Sequence, residues 1–447
     1  MRHIFVFILI VFSIIICEEN NLLGQSLHSD ASNLKTISLE VLLSEAPHKL
    51  NELAKKHLFS EPDKAVVYAE AALKVAVERN DKEEEAKGWY NLGNALNMLN
   101  QNEKALKAYR EALKLKIYTN DKELLAKIFN NMGVVNAKIE KYYDAIEYYK
   151  KSLNIKYQLN DTAGIAGTLA NMGNIYFLWG KYKEAFQYQQ KALYLYEMID
   201  NQQGIAACMN HLGTIYENWN DFKSALNYYN TALELQKNIN DYKGVANTLN
   251  NLGNLLNKMN FYEEALVKYE QAIEINTKEN NLKGVASSLN NIGTIYTKLG
   301  NYNLARKYYS QALSISKQIN SDYEITVNLY AIGNNYVNLK NYNKALPFFK
   351  KSLQIATENN LRELMSDNYK ALSIVYSFLG MYDNAYKNLY NYNLIKDSIF
   401  SRDIHRQITE IKTRYETEKK QKEIELLKRN ILINQLKADK REQQWQL

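Results

Sequence analysis

The chain has 447 residues, of which 46% are hydrophobic, with three prolines, two cysteines and a formal charge of +7. So dilute a charge leaves no electrostatic footprint for nucleic acid. None of the six histidines pairs with Cys, Asp or Glu at metal-ligand spacing, and neither a phosphate loop nor a serine elbow occurs, so no enzyme class and no cofactor is supported.

Residues 1–24 read as a secretion signal. Arg2 and His3 make a basic start, and Ile4 to Cys17 is an apolar run too short for a comfortable span. A secreted or periplasmic location is expected. Two alternatives stay open: a lipidated Cys17, against which Ile14, Ile15 and Ile16 argue, and a retained anchor. With the leader removed Cys208 is left alone, and no internal disulfide forms. Residues 25–37 form a polar linker. Residues 38–79 read as a worn first hairpin. Its Ala65, Ala72 and Leu73 precede Ala105, Ala112 and Leu113 by one repeat, while the glycine-bearing helix has lost its signature.

From 80 to 399 one segment is rewritten eight times at a period of 40 residues. Its glycine recurs as Gly93, Gly133, Gly173, Gly213, Gly253, Gly293 and Gly333, with Ser373 in the eighth place. Trp89, Leu92, Gly93 and Leu96 share one face of a first helix, and Ala105, Tyr109, Ala112 and Leu113 share one face of a second. A helical glycine costs about 1 kcal/mol relative to alanine, so its recurrence requires close helix approach. Gly and Ala are expected to meet where the axes come closest, with Tyr109 and Leu113 beside them. Pairs such as Asn80-Asp81 and Asn160-Asp161 open the units as turns and caps. The turn aromatics, Tyr142 to Tyr382, read as core.

WYNLGNAL from Trp89 to Leu96, followed by Ala105, Tyr109 and Ala112, resembles the tetratricopeptide repeat. The chain departs from that pattern in its period of 40 rather than about 34 and in lacking the terminal proline. It is similar in this to the long repeats of LGN-type adaptors and kinesin light chain. The resemblance implies an all-α fold, a right-handed α-solenoid of helical hairpins whose first helices line a concave surface. On that helix Asn91, Asn131, Asn171, Asn251 and Asn291 occupy one repeat position. Asn94, Asn174, Asn254 and Asn334 follow three residues on, with Thr214 and Thr294 in the same row. Such carboxamides each offer a donor and an acceptor, which suits the backbone of an extended peptide. A merely solvated face is the competing reading. His211 takes an asparagine's place as a polar wall residue. The lysine–asparagine clamp of chaperone adaptors is not matched.

Residues 400–447 change character. Ile404, Ile408, Ile411 and Tyr415, then Ile424, Leu427 and Ile431, form a narrow seam on a charged helix. A coiled coil joining two copies is expected; a helix folded back on the last repeat is the alternative. The combination resembles the extracytoplasmic sensor region of bacterial signalling proteins. The expected function is therefore a noncatalytic scaffold that holds a peptide or protein segment in its groove. The alternative is the sensor portion of a transmembrane histidine kinase or transcription regulator, touching membrane only through a retained leader or a later span.

Overall fold

The computed structural model describes residues 45–115 and 121–396. The leader, the linker, the first residues of the worn hairpin and the 400–447 helix lie outside the described residues.

Each helix is cut to length by the same local device. At every twentieth residue from Asn80 to Gly380 among those described, the backbone turns to positive φ, for example 54° at Asn80 and 55° at Asn240. Asparagine tolerates this left-handed conformation better than other side chains, and glycine adopts it freely at Gly180 and Gly300. The turn lets the Asn80 N–H donate to Val77 O at 3.1 Å and the Asp81 N–H to Ala76 O at 2.8 Å, so two end carbonyls of the finished helix are satisfied. Asp81 then accepts from the Glu84 N–H at 3.1 Å and starts the next helix. Asp121, Asp161, Asn201 and Asn281 cap in the same way.

The helices are α1 (Pro47–His57), α2 (Pro62–Glu78), α3 (Lys82–Met98), α4 (Asn102–Lys114), α5 (Lys122–Lys138), α6 (Tyr142–Gln158), α7 (Thr162–Leu178), α8 (Tyr182–Met198), α9 (Gln202–Asn218), α10 (Phe222–Asn238), α11 (Tyr242–Lys258), α12 (Tyr262–Lys278), α13 (Leu282–Lys298), α14 (Tyr302–Gln318), α15 (Asp322–Asn338), α16 (Tyr342–Glu358) and α17 (Arg362–Phe378). Residues 382–396 are helical again. No strand occurs among the described residues. From α5 on each helix runs 17 residues, so a helix and its three-residue link make a 20-residue step, and two steps make the period.

The described chain divides into two compact units, one ending at Gly244 and one beginning at Val245. Within each, consecutive helices pair as antiparallel hairpins. In the first unit α1, α3, α5, α7 and α9 also pack on one another in series; in the second, α13, α15 and α17 do. The even helices make no comparable contact with each other among the described residues. The odd helices therefore form the wall along which successive hairpins touch in each unit.

The core corrects one expectation. The atoms that a Cβ on the repeat glycine would meet first are not those of the alanines. The glycine lies under the ring sixteen positions later: a Cβ on Gly93, Gly133, Gly213, Gly253, Gly293 or Gly333 would stand 2.5–2.7 Å from the ring of Tyr109, Tyr149, Tyr229, Tyr269, Tyr309 or Phe349. Those rings are at most 4% exposed. The glycine makes room for an aromatic plate, and the alanines Ala105, Ala145, Ala225, Ala265, Ala305 and Ala345, all fully buried, bring the even helix in beside it. Gly204 and Gly284 do the same for Tyr196 and Asn276 near the ends of the even helices, while Gly244 makes room first for the capping Asp241 and then for Gln236.

Candidate functional site

The wall is built from polar positions on the odd helices. In the first unit Asn131 is half-buried and donates through Nδ2 to Asn94 Oδ1 of the preceding hairpin at 2.8 Å. Asn94 Oδ1 also accepts from the Tyr109 hydroxyl at 2.7 Å. Asn174 Oδ1 accepts from Gln189 Nε2 at 2.7 Å, and Gln189 stands where the other hairpins carry the aromatic ring. Asn171 is half-buried beside it, and His211 in the same row is exposed. Asn91 differs from the rest: it is 3% exposed and donates to Asn51 Oδ1 at 2.9 Å. It joins the first two hairpins and does not face a groove.

In the second unit Asn251, Asn254, Asn291 and Asn334 are all half-buried. Asn254 Oδ1 accepts from the Tyr269 hydroxyl at 2.7 Å. Thr294 fills the same place against Tyr309, and in the first unit Thr214 meets Tyr229 at 3.1 Å. Phe349 brings no hydroxyl to the corresponding place beside Asn334.

The second row of the wall is therefore a row of caps for buried ring hydroxyls. Burial pushes the Tyr109 and Tyr229 hydroxyls well above their ordinary range, so they stay protonated as donors. The sequence identified the rows but not these partners. It also missed a lateral polar ladder between successive odd helices. Ser288 Oγ donates to Asn250 Oδ1 at 2.8 Å, Asn290 Nδ2 to Asn328 Oδ1 at 2.7 Å, and Lys298 Nζ to Asn257 Oδ1 at 2.8 Å. The signal was available, since each pair lies about one period apart.

Among the described residues no three His, Cys, Asp or Glu side chains come together to hold a metal ion, and no helix is long and apolar enough to cross a membrane.

An all-α series of hairpins built from 17-residue helices, with a glycine under an aromatic plate in nearly every repeat, defines a class of helical-repeat protein. Tetratricopeptide repeat models match residues 86–116, 124–198, 161–238, 244–318 and 328–359. Together these cover more than half of the chain, and it belongs to the tetratricopeptide repeat family. No curated protein matches it in sequence. Several solved structures share its fold. A Rap protein complexed with Competence and Sporulation Factor is 16% identical, with a TM-score of 0.55, over 81% of this chain and 99% of that one. The apo quorum sensor NprR from B. thuringiensis is 14% identical, with a TM-score of 0.53, over 78% and 97%. The Rap conjugation gene regulator of plasmid pLS20 in complex with the Phr* peptide is 14% identical, with a TM-score of 0.52, over 80% and 97%. At such identities the likeness is one of fold.

Proposed function

We propose that the chain is a noncatalytic scaffold that binds an extended peptide or protein segment against the inner walls of its odd helices. The observation that carries this is the recurrence of half-buried carboxamides at two positions of that wall: Asn94, Asn131, Asn171 and Asn174 in the first unit, Asn251, Asn254, Asn291 and Asn334 in the second. A side chain that keeps part of its surface open and its polar atoms at a fixed pitch matches a ligand whose own groups repeat. Two neighbours in fold, the Rap protein with Competence and Sporulation Factor and the pLS20 regulator with the Phr* peptide, accord with a partner of this kind.

The test is a cross-linking capture with the whole chain as bait, beside a variant carrying alanine at Asn131, Asn171, Asn251 and Asn291. The expected result is loss of the captured segment with the thermal unfolding of the parent. Equal capture by both removes the groove. An extracytoplasmic setting belongs to the same proposal and rests on residues 1–24; N-terminal sequencing of the exported chain tests it. Self-association through residues 400–447 completes it, and sedimentation of the chain with and without that segment decides it.

A further inference from the structure

The helix at 382–396 completes the last described hairpin, and one of its faces is uncovered. Tyr382 is 71% exposed, Tyr386 70%, Leu389 45%, Tyr390 54% and Leu394 50%. These five stand at i, i+4, i+7, i+8 and i+12, which makes one apolar stripe along the helix. The rings of Tyr386 and Tyr390 lie side by side, 6.5 Å between centroids.

Part of the stripe is what any last hairpin leaves open. At the place of Leu389 the preceding repeat carries Phe349, which is fully buried, with α17 packed on its helix. The rest has another cause. At the places of Tyr390 and Leu394 the earlier repeats of the second unit carry Glu270 and Glu274, Ser310 and Ser314, and Lys350 and Gln354, all exposed. These are solvent positions, and a missing neighbour does not make them apolar. A partner surface does.

The sequence indicates what covers the stripe. The described helices are turned back at every twentieth residue by a residue at positive φ, most often Asn or Gly. At 400 the chain has Phe, and neither Asn nor Gly occurs from 397 to 429. A bulky aromatic disfavours that conformation, so nothing at 400 returns the chain over its own helix. Phe400, Ile404 and Ile408 each follow Tyr382, Tyr386 and Tyr390 by eighteen residues, about five helical turns, so at helical spacing the apolar seam continues the same face. The five exposed side chains offer on the order of 600 Å², less than the roughly 800 Å² that each partner gives up in a stable dimer, so stripe and seam are needed together. Asp383 and Lys387, both exposed, flank the stripe with opposite signs, and such a flank can meet its own copy without net repulsion.

We infer that a second copy of this chain covers the stripe, through the same face, and that the pairing surface starts at Tyr382 inside the repeats and continues through Phe400, Ile404 and Ile408. This rests on the self-association proposed above and carries it into the last hairpin.

Sedimentation equilibrium of the full chain is the test, with two double variants. Tyr390→Lys with Leu394→Gln copies the preceding repeat into the stripe, and Ile408→Glu with Ile411→Glu breaks the seam. The parent should be a dimer. The first variant should keep the parent's helix content by circular dichroism, because both side chains are exposed, while its dimer dissociation constant rises about tenfold or more. The second should also dissociate more readily. A dissociation constant unchanged in the first variant and raised in the second overturns the inference and leaves residues 400–447 as the whole interface. A monomeric parent, or a dimer that neither variant weakens, overturns both.

Discussion

The ring of Tyr269 occupies the space where a side chain on Gly253 would begin: a Cβ there would stand 2.6 Å from Cε1 and 2.8 Å from Cδ1. The ring is fully buried and its hydroxyl is tied to Asn254, so it cannot swing away. Glycine, tyrosine and asparagine thus form one unit inside the hairpin: the gap, the plate that fills it, and the cap on the plate's polar end.

Gly253→Ala should cost about 1–3 kcal/mol, because a rigid ring must shift to admit the methyl group. The Cβ of Gly180→Ala would meet no atom within 4 Å, so any loss there comes from its left-handed backbone alone, φ 75°. Denaturant unfolding of Gly253→Ala gives the size of the loss directly, and a loss well below about 1 kcal/mol would remove the plate model.

Tyr109→Phe keeps the plate and deletes a hydroxyl bonded to Asn94. The expected loss is about 0.5–1.5 kcal/mol, the usual value for one hydrogen bond. Phe349 shows that the repeat accommodates the ring alone. A larger loss, seen by calorimetry, would mean that the hydroxyl also holds the helix pair in register.

Asn335 sits fully buried with neither polar atom of its carboxamide bonded, at a position filled by Leu255, Ile295 and Val375 in neighbouring repeats. Burying an unsatisfied amide costs about 1–3 kcal/mol. Asn335→Leu should therefore raise the stability of the chain by an amount in that range. A lowered thermal midpoint would instead reveal a role for the carboxamide in the native core.

Cys208 is 1% exposed, and burial, with Glu197 nearby, pushes its thiol up to about 12. At neutral pH almost no thiolate is present, and the reagent has no access. In a Cys17→Ser chain, maleimide labelling should be negligible until denaturant unfolds the protein. Rapid labelling of the native chain would show that α9 opens locally.

The repeat was legible because its cues are local. Asn80 and Asp81 end one helix and start the next through backbone bonds within five residues, so their spacing in sequence is the spacing of helix ends in space. The period and the helical faces followed, and so did the family resemblance. The glycines were recognised as close-contact positions, but the ring that lies nearest to them was placed only beside the contact. Periodicity says which residues share a face; it does not say which residue of the opposing helix lands on that face. Gly204 and Gly284 went unremarked for the same reason, since what needs their space is the tail of the preceding helix.

By itself the sequence determined the helices, their lengths and their order, because Gly, Asn and Asp act on the backbone where they stand. Only the tertiary structure decided what each wall asparagine does. Asn91 is closed off by Asn51 from the preceding hairpin, and Asn174 is turned by Gln189 from the other helix of its own hairpin. A carboxamide has two different ends, and which end faces outward depends on a hydrogen-bond partner that folding brings to it.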